Sequence, residues 1–227
     1  MLYSYEPRFD FGMSEVAAKV RREAEEDREF VNESLSDVLR PMTLAALLAV
    51  PGIVDAAALS KAVGASADGK PVQVSDPNIQ KKIYNIIGKD KYEDAVIVNV
   101  IARTLMGEAV GENSTEAFDA VASVIWNRAG GRKAKFVDTI LKPLQFSCWN
   151  KLNRADKRNF VIKPHGRALT NPAAWKYCVS LAKRMVDGDF TPVGNWNHYY
   201  AHNKVNPSWA SKLKGKKVIG NHTFGTV

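Results

Sequence analysis

The sequence predicts a mainly α protein of the α+β class, made of a helical N-terminal appendage and a larger main domain. Apolar residues recur at three- and four-residue spacing in several stretches, which is typical of helices that pack on one face. Residues 64–78 lack this spacing and are rich in glycine, proline, serine and aspartate, so they predict a linker. All five tryptophans lie after the linker. We therefore expect an N-terminal region at 1–63 and the main domain at 79–227.

The charge of the chain is unevenly distributed, with a net charge of +8. Residues 91–227 hold 21 Lys and Arg against 10 Asp and Glu, a balance of +11, whereas residues 1–90 hold 11 against 14, a balance of −3. A basic domain suits an anionic partner, such as nucleic acid, lipid headgroups or an anionic cell-wall polymer. The two cysteines, Cys148 and Cys178, set no disulfide framework, and we expect free thiols.

The N-terminal region combines a charged helix with an apolar run. Residues 14–38 have helical spacing and a charged opposite face, which is typical of a solvated helix or of a helical oligomer. The run Pro41–Leu59 is 19 residues long, close to the length that spans a bilayer. Because Pro51-Gly52 breaks this run and Asp55 lies inside it, two short buried helices or an interaction hairpin are favoured over membrane contact. The first residues lack the basic and apolar segments of a secretory signal.

The main domain is predicted to be helical up to a final aromatic segment with a short strand within Asn197–Ala201. Asn113, with Glu116 three residues later, resembles a capping box. Residues 144–170 show no period and predict a long basic loop, of a length that usually carries function or is mobile. The predicted helices are Ile79–Ile87, Asp94–Met106, a third from Asn113 to Asn127-Arg128, a short one at Phe136–Leu141 and a last one from Pro172 to Gly188.

Glu108 lies at the end of an apolar helix, where a partly buried glutamate can donate a proton to the leaving oxygen of a glycosidic bond. It begins the first of four short blocks, which are Glu108 to Glu112, Asn127-Arg128, Gln145 to Ser147 and Gly220 to Phe224. In this order the blocks resemble the catalytic domain of the SleB/CwlJ family of cell-wall hydrolases. That family carries Glu-Ala-x-Gly-Glu, Asn-Arg, Gln-Phe-Ser and Gly-x-His-x-Phe, and the resemblance covers about residues 94–226.

The resemblance implies a lysozyme-like catalytic domain that cleaves peptidoglycan between N-acetylmuramic acid and N-acetylglucosamine, with Glu108 as the catalytic acid. Glu112 matches the second glutamate of the block. It is either a second carboxylate or a structural residue that holds the Glu108 loop or caps the next helix, and we favour the structural role. With one catalytic carboxylate, the expected chemistry is that of a lytic transglycosylase, and no cofactor or metal is expected.

The predicted substrate-binding residues lie in the remaining blocks and in the aromatic segment. Gln145 offers an amide to sugar hydroxyl or N-acetyl groups. The asparagine of the Asn127-Arg128 block either contacts the ligand or ties the helix end to a loop, and His222 is expected to make a hydrogen bond. The full predicted set is Glu112, Asn127, Gln145, Phe146, Ser147, Tyr199 and Tyr200.

Two alternatives belong to other functional classes. His198 and His202 have the spacing of a helical zinc pair, and His222 could complete a zinc amidase site. The pair lacks the glutamate that follows the first histidine in zinc-peptidase helices, and the asparagines and proline around it disfavour a long helix. The other alternative is a structural virion protein that only binds glycan, although a binder has no need for the acid at Glu108.

The expected partner is peptidoglycan rather than nucleic acid, and the expected place of action is the bacterial cell wall or periplasm. Spore enzymes of the family often carry a secretion signal or a separate wall-binding module, and neither is recognised in this sequence. Delivery by a phage, in the particle or at lysis, would bring the enzyme to the wall. Residues 1–63 would then dock on a phage particle protein or on copies of themselves, with membrane contact through Pro41–Leu59 less favoured.

Overall fold

The computed structural model describes residues 59, 63, 76–112, 114–142, 144–149 and 171–227. Within them, the helices are α1 (Pro77–Ile87), α2 (Lys89–Ala109), α3 (Thr115–Ala129), α4 (Phe136–Leu141) and α5 (Pro172–Asp187). The strands are β1 (His198–Ala201), β2 (Lys214–Ile219) and β3 (His222–Thr226). Single 3₁₀ turns lie at Val110–Glu112, Lys133–Lys135, Ser147–Trp149 and Ala210–Lys212. The predicted mainly α, α+β class is confirmed, and the architecture is consistent with a lysozyme-like domain.

Helix α2 forms the centre of the domain. Every residue from Val98 to Met106 is buried, so this helix is covered on all sides rather than along one stripe. Helices α1, α3, α4 and α5 all contact it. The same core includes Leu59 and Val63, which are 0% and 8% exposed. A shortened chain meant to isolate the domain should therefore keep both residues, and the boundaries after 63 and 78 remain predictions.

The predicted helices are present, but three of them start at different residues, with the largest shift at α2, which begins at Lys89 rather than Asp94 and runs to Ala109. Helix α1 begins at Pro77, two residues before its predicted start. The predicted cap at Asn113 is wrong, because Ser114 takes the extended backbone of the N-cap and makes no side-chain capping bond. Asn113 itself lies outside the described residues. At α5 the prediction is confirmed, since Asn171 caps the helix and Pro172 occupies its first turn.

The three strands form an antiparallel sheet in the order β1-β3-β2. Tyr199 pairs with Phe224, and Tyr200 pairs with Thr223. Successive residues of a strand point to opposite faces, so Tyr199 and Phe224 share one face and Tyr200 lies on the other. Phe224 is fully buried and belongs to the core, so the face that it shares with Tyr199 is the inner face. The predicted strand within Asn197–Ala201 is confirmed.

Among the described residues, no helix combines the length and apolar character needed to cross a bilayer. The apolar run Pro41–Leu59 lies outside the described residues except for Leu59, so the predictions about its membrane contact and its docking remain predictions. Both cysteines, Cys148 and Cys178, are buried and free, as predicted.

Candidate active site

Glu108 is half-buried in the last turn of α2, and three donors converge on its carboxylate. The backbone N–H of Cys148 donates to Oε1 at 2.8 Å, and the Ser147 hydroxyl donates to the same oxygen at 3.1 Å. The Tyr199 hydroxyl donates to Oε2 at 2.9 Å. These donors come from two elements that are distant in sequence, a 3₁₀ turn and strand β1. The fold therefore fixes both oxygens of one carboxylate.

The 3₁₀ turn beside Glu108 is anchored on α2. The indole N–H of Trp149 donates to the hydroxyl of Thr104 at 2.9 Å, one helical turn before Glu108. The Thr104 hydroxyl in turn donates to the Val100 carbonyl at 2.7 Å. The chain enters this segment through Leu144, whose φ of 64° is uncommon for a residue other than glycine. The turn is thus held in register with the helix that carries Glu108.

Tyr199 is the partner of Glu108 from the sheet. Burial, and then the nearby Glu108 carboxylate, raise the pKa of Tyr199 well above its usual value, so the phenol keeps its proton. Its ring stacks on Phe224 with centroids 5.3 Å apart and lies 6.4 Å from the ring of Phe146. A phenol can donate to a carboxylate and can accept from a carboxylic acid. Tyr199 can therefore stay hydrogen-bonded to Glu108 in both protonation states.

The end of α3 braces the two elements that carry these donors. Nε of Arg128 donates to the carbonyl of Asn197, which precedes β1, at 2.6 Å. Nη1 of Arg128 donates to the Gln145 carbonyl, which precedes the 3₁₀ turn, at 3.3 Å. Asn127 donates to two backbone carbonyls within residues 194–196, each at 2.8 Å. Two roles were predicted for Asn127, and the structure shows one of them: its side chain ties the end of α3 to the loop before β1.

Glu112 holds the hairpin between β2 and β3. Its Oε2 accepts from the backbone N–H of Asn221 at 2.7 Å, and its Oε1 lies 3.2 Å from Nδ1 of His222. Burial lowers the pKa of His222 despite the nearby Glu112 carboxylate, which favours the neutral ring. His222 thus lies beside a carboxylate oxygen, and the hydrogen bond expected of it remains a prediction. Both oxygens of Glu112 are therefore engaged in joining the end of α2 to the sheet.

The remaining predicted substrate-binding residues have different positions. Ser147 is exposed beside the carboxylate, and Tyr199 contacts it from the sheet. Phe146 is 1% exposed, so its ring packs inside the domain and has almost no surface that a glycan could contact. Tyr200 points to the outer face of the sheet, because it alternates with Tyr199 along β1. Gln145 is half-buried, and a sugar contact through its amide remains a prediction.

The helical zinc pair predicted as an alternative is not formed, because His198 lies in a strand. Side chains four residues apart are neighbours on the surface of a helix, and here β1 ends at Ala201, before His202. Each histidine ring has another neighbour within hydrogen-bond distance, which is Asn197 for His198, Thr223 for His202 and Glu112 for His222. In the part of the chain that the structure describes, no three His, Cys, Asp or Glu side chains cluster as a metal site.

The fold and the site define a mainly helical domain with a small antiparallel sheet, in which three donors hold the carboxylate of Glu108. A family model described as Cell Wall Hydrolase matches residues 112–225, just over half of the 227-residue chain. The chain therefore belongs to the cell wall hydrolase family and is an enzyme that acts on peptidoglycan. The matched span begins at Glu112 and does not include Glu108. No curated protein and no solved structure matches the chain.

Removing the Tyr199 hydroxyl is expected to lower activity without unfolding the domain. Tyr199→Phe deletes the donor to Oε2 of Glu108 but keeps the ring that stacks on Phe224. A hydrogen bond to a charged group is worth about 1.5–3 kcal/mol, so we expect kcat to fall by about tenfold or more with KM little changed. Tyr84→Phe is the matched control, because Tyr84 lies on α1 and its ring contacts Tyr92 rather than Glu108. Equal rates for the two variants would contradict the role assigned to Tyr199.

Proposed function

We propose that this cell wall hydrolase cleaves the glycan strand between N-acetylmuramic acid and N-acetylglucosamine as a lytic transglycosylase, with Glu108 as general acid and base. The convergence of the Cys148 N–H and of the Ser147 and Tyr199 hydroxyls on this half-buried carboxylate carries the proposal. A group that transfers protons must be held in position relative to the bond that it cleaves. The exposure of Ser147 supports access for a glycan from that side.

In the proposed reaction, protonated Glu108 gives its proton to the oxygen that links the two sugars, and the bond from that oxygen to C1 of N-acetylmuramic acid breaks. The C6 hydroxyl of the same sugar then attacks C1, and its proton passes to the Glu108 carboxylate. The products are a 1,6-anhydro-N-acetylmuramic acid end and a free C4 hydroxyl on N-acetylglucosamine. No water is consumed, and Glu108 recovers its proton for the next cycle.

The engagement of Glu112 supports this route over hydrolysis. Hydrolysis with retention or inversion usually needs two carboxylates that flank the scissile bond. Glu112 is the other glutamate of the Glu108 block, and it uses both oxygens to bind Asn221 and His222. A carboxylate whose two oxygens both contact the hairpin is poorly suited to act as a second catalytic group. The transglycosylase route needs only one catalytic carboxylate, that of Glu108.

Analysis of the reaction products tests the proposal. Purified peptidoglycan would be digested and the soluble fragments identified by mass spectrometry, with expected anhydro ends that are lighter than reducing ends by one water. Reducing ends would mean a muramidase, and freed stem peptides would mean an amidase. A parallel digest with EDTA should give the same products. A folded protein that released nothing would instead favour the glycan-binding virion alternative, which membership of a hydrolase family disfavours.

Delivery to the wall is a separate part of the proposal. We propose that a phage carries or releases the enzyme, and that residues 1–63 dock on a particle component or on copies of themselves. Apart from Leu59 and Val63, that region lies outside the described residues, so its composition alone motivates the idea. Two short apolar helices bury little surface by themselves and would gain stability from a partner.

A further inference from the structure

The outer face of the three-stranded sheet carries aromatic and aliphatic side chains that the candidate active site does not use. The ring of Trp209 lies 5.6 Å from the ring of Tyr200 in an edge-on contact, and 5.1 Å from the ring of His198. Val218 pairs with Thr223, as Tyr200 does, so it shares this face, and it is 61% exposed. The face is therefore a partly apolar surface opposite the side that contacts Glu108.

Lysines border this face. From Phe190 to Val227 the chain has five lysines and no aspartate or glutamate. One of them, Lys217, pairs with Glu116 at 2.9 Å. Among the described residues, no carboxylate lies within ion-pair distance of the exposed Lys212, Lys214 and Lys216, which lie just before and within β2. Lysines on an edge strand can discourage pairing with another sheet. Protection of an edge strand accounts for the lysines, but it does not explain why aromatic rings and the exposed Val218 lie next to these lysines.

We propose that this outer patch, defined as Tyr200, Trp209, Val218 and Lys216 together with Lys212 and Lys214 at its border, is a second, non-catalytic binding surface for a peptidoglycan strand. The proposal rests on the function argued above. Aromatic and aliphatic side chains fit the apolar faces of pyranose rings, and the lysines complement the carboxylates of the stem peptides. A sugar bound on the outer face lies on the opposite side of the sheet from Glu108. The patch would therefore retain the enzyme on the wall between cleavages by raising its effective concentration there.

A binding experiment on a catalytically silenced background tests the proposal separately from the chemistry. Glu108→Gln protein is sedimented with insoluble peptidoglycan that has been stripped of accessory anionic polymers. Adding Lys212→Gln, Lys214→Gln and Lys216→Gln is expected to weaken binding by about tenfold, because exposed ion pairs are individually weak but act together here. Added salt should weaken binding of the parent protein more than binding of this variant. With Glu108 restored, the lysine variant should cleave short soluble glycan fragments at the parent rate.

The control removes the same charge elsewhere. Lys81→Gln, Lys82→Gln and Lys91→Gln change three exposed lysines on α1 and α2, and they should leave binding near the parent value. Equal binding of the two triple variants would overturn the proposal. An effect seen only on walls that retain their accessory polymers would overturn peptidoglycan as the occupant, as would an effect seen only with DNA.

The aromatic part of the patch has its own variant. Trp209→Leu is expected to weaken sedimentation with stripped peptidoglycan by about threefold, because it removes one aromatic contact and keeps an apolar side chain. Its thermal midpoint should be checked, since Trp209 is half-buried. A folded Trp209→Leu protein with undiminished binding would overturn sugar stacking on this face.

Discussion

Glu108→Gln is expected to reduce the cleavage of purified peptidoglycan by at least about a hundredfold, which is the usual contribution of one general acid or base. The substitution keeps the shape of the side chain and removes its exchangeable acid proton. The amide oxygen of glutamine can still accept from the Cys148 N–H and the Ser147 hydroxyl, and the amide nitrogen can donate to the Tyr199 hydroxyl. Loss of activity should therefore come without loss of the fold.

The measurement is release of soluble fragments, with the thermal midpoint recorded alongside. The midpoint should stay within about 4 °C of the parent, because about 1 kcal/mol shifts it by 2–4 °C in a chain of this size. Glu93→Gln is the matched control, since Glu93 is an exposed residue of the same helix that pairs with Lys89 at 3.5 Å. A variant at Glu108 that kept most of its activity would remove Glu108 from the mechanism, whatever product is formed.

The sequence singled out Glu108 and predicted most of the helices, because both depend on local patterns. The apolar period of α2 and the cap and proline of α5 are readable from neighbouring residues. The partners of Glu108 are partly readable, since Ser147 and Tyr199 lie in positions that the family resemblance marks. The Cys148 donor could not be predicted, because every residue except proline has a backbone N–H and the residue type does not show which one donates.

Residue type also failed to indicate which side of the sheet or core a residue would occupy. Phe146 stands beside Ser147 in one block, yet the ring is buried while the hydroxyl is exposed. Tyr199 and Tyr200 are adjacent and chemically identical, and only the strand pairing assigns them to opposite faces. The spacing from His198 to His202 also fits a helical metal pair, so the sequence left that alternative open beside the strand predicted at Asn197–Ala201. Long-range packing decided these cases.

Gly220→Ala is expected to destabilise the domain strongly, because a β-carbon there meets the buried Glu112 carboxylate. Gly220 is the first residue of the two-residue turn between β2 and β3, with a φ of +56° that favours glycine. An added methyl group would collide with Glu112 and displace it from the Asn221 N–H and from His222. Strain of about 1–3 kcal/mol would add to the loss of hydrogen bonds to a charged group.

Gly215→Ala separates these two causes. Gly215 has a similar φ of +59°, but nothing lies within 4 Å of its β-carbon position, so that variant should lose only about 1–2 kcal/mol. Gly220→Ala should lose about 3 kcal/mol or more, a fall of about 6–12 °C in the thermal midpoint. In a background of Glu112→Ala, the further cost of Gly220→Ala should shrink toward that of Gly215→Ala, since the carboxylate that it meets is gone. Equal costs at the two glycines would mean that Glu112 does not hold the hairpin.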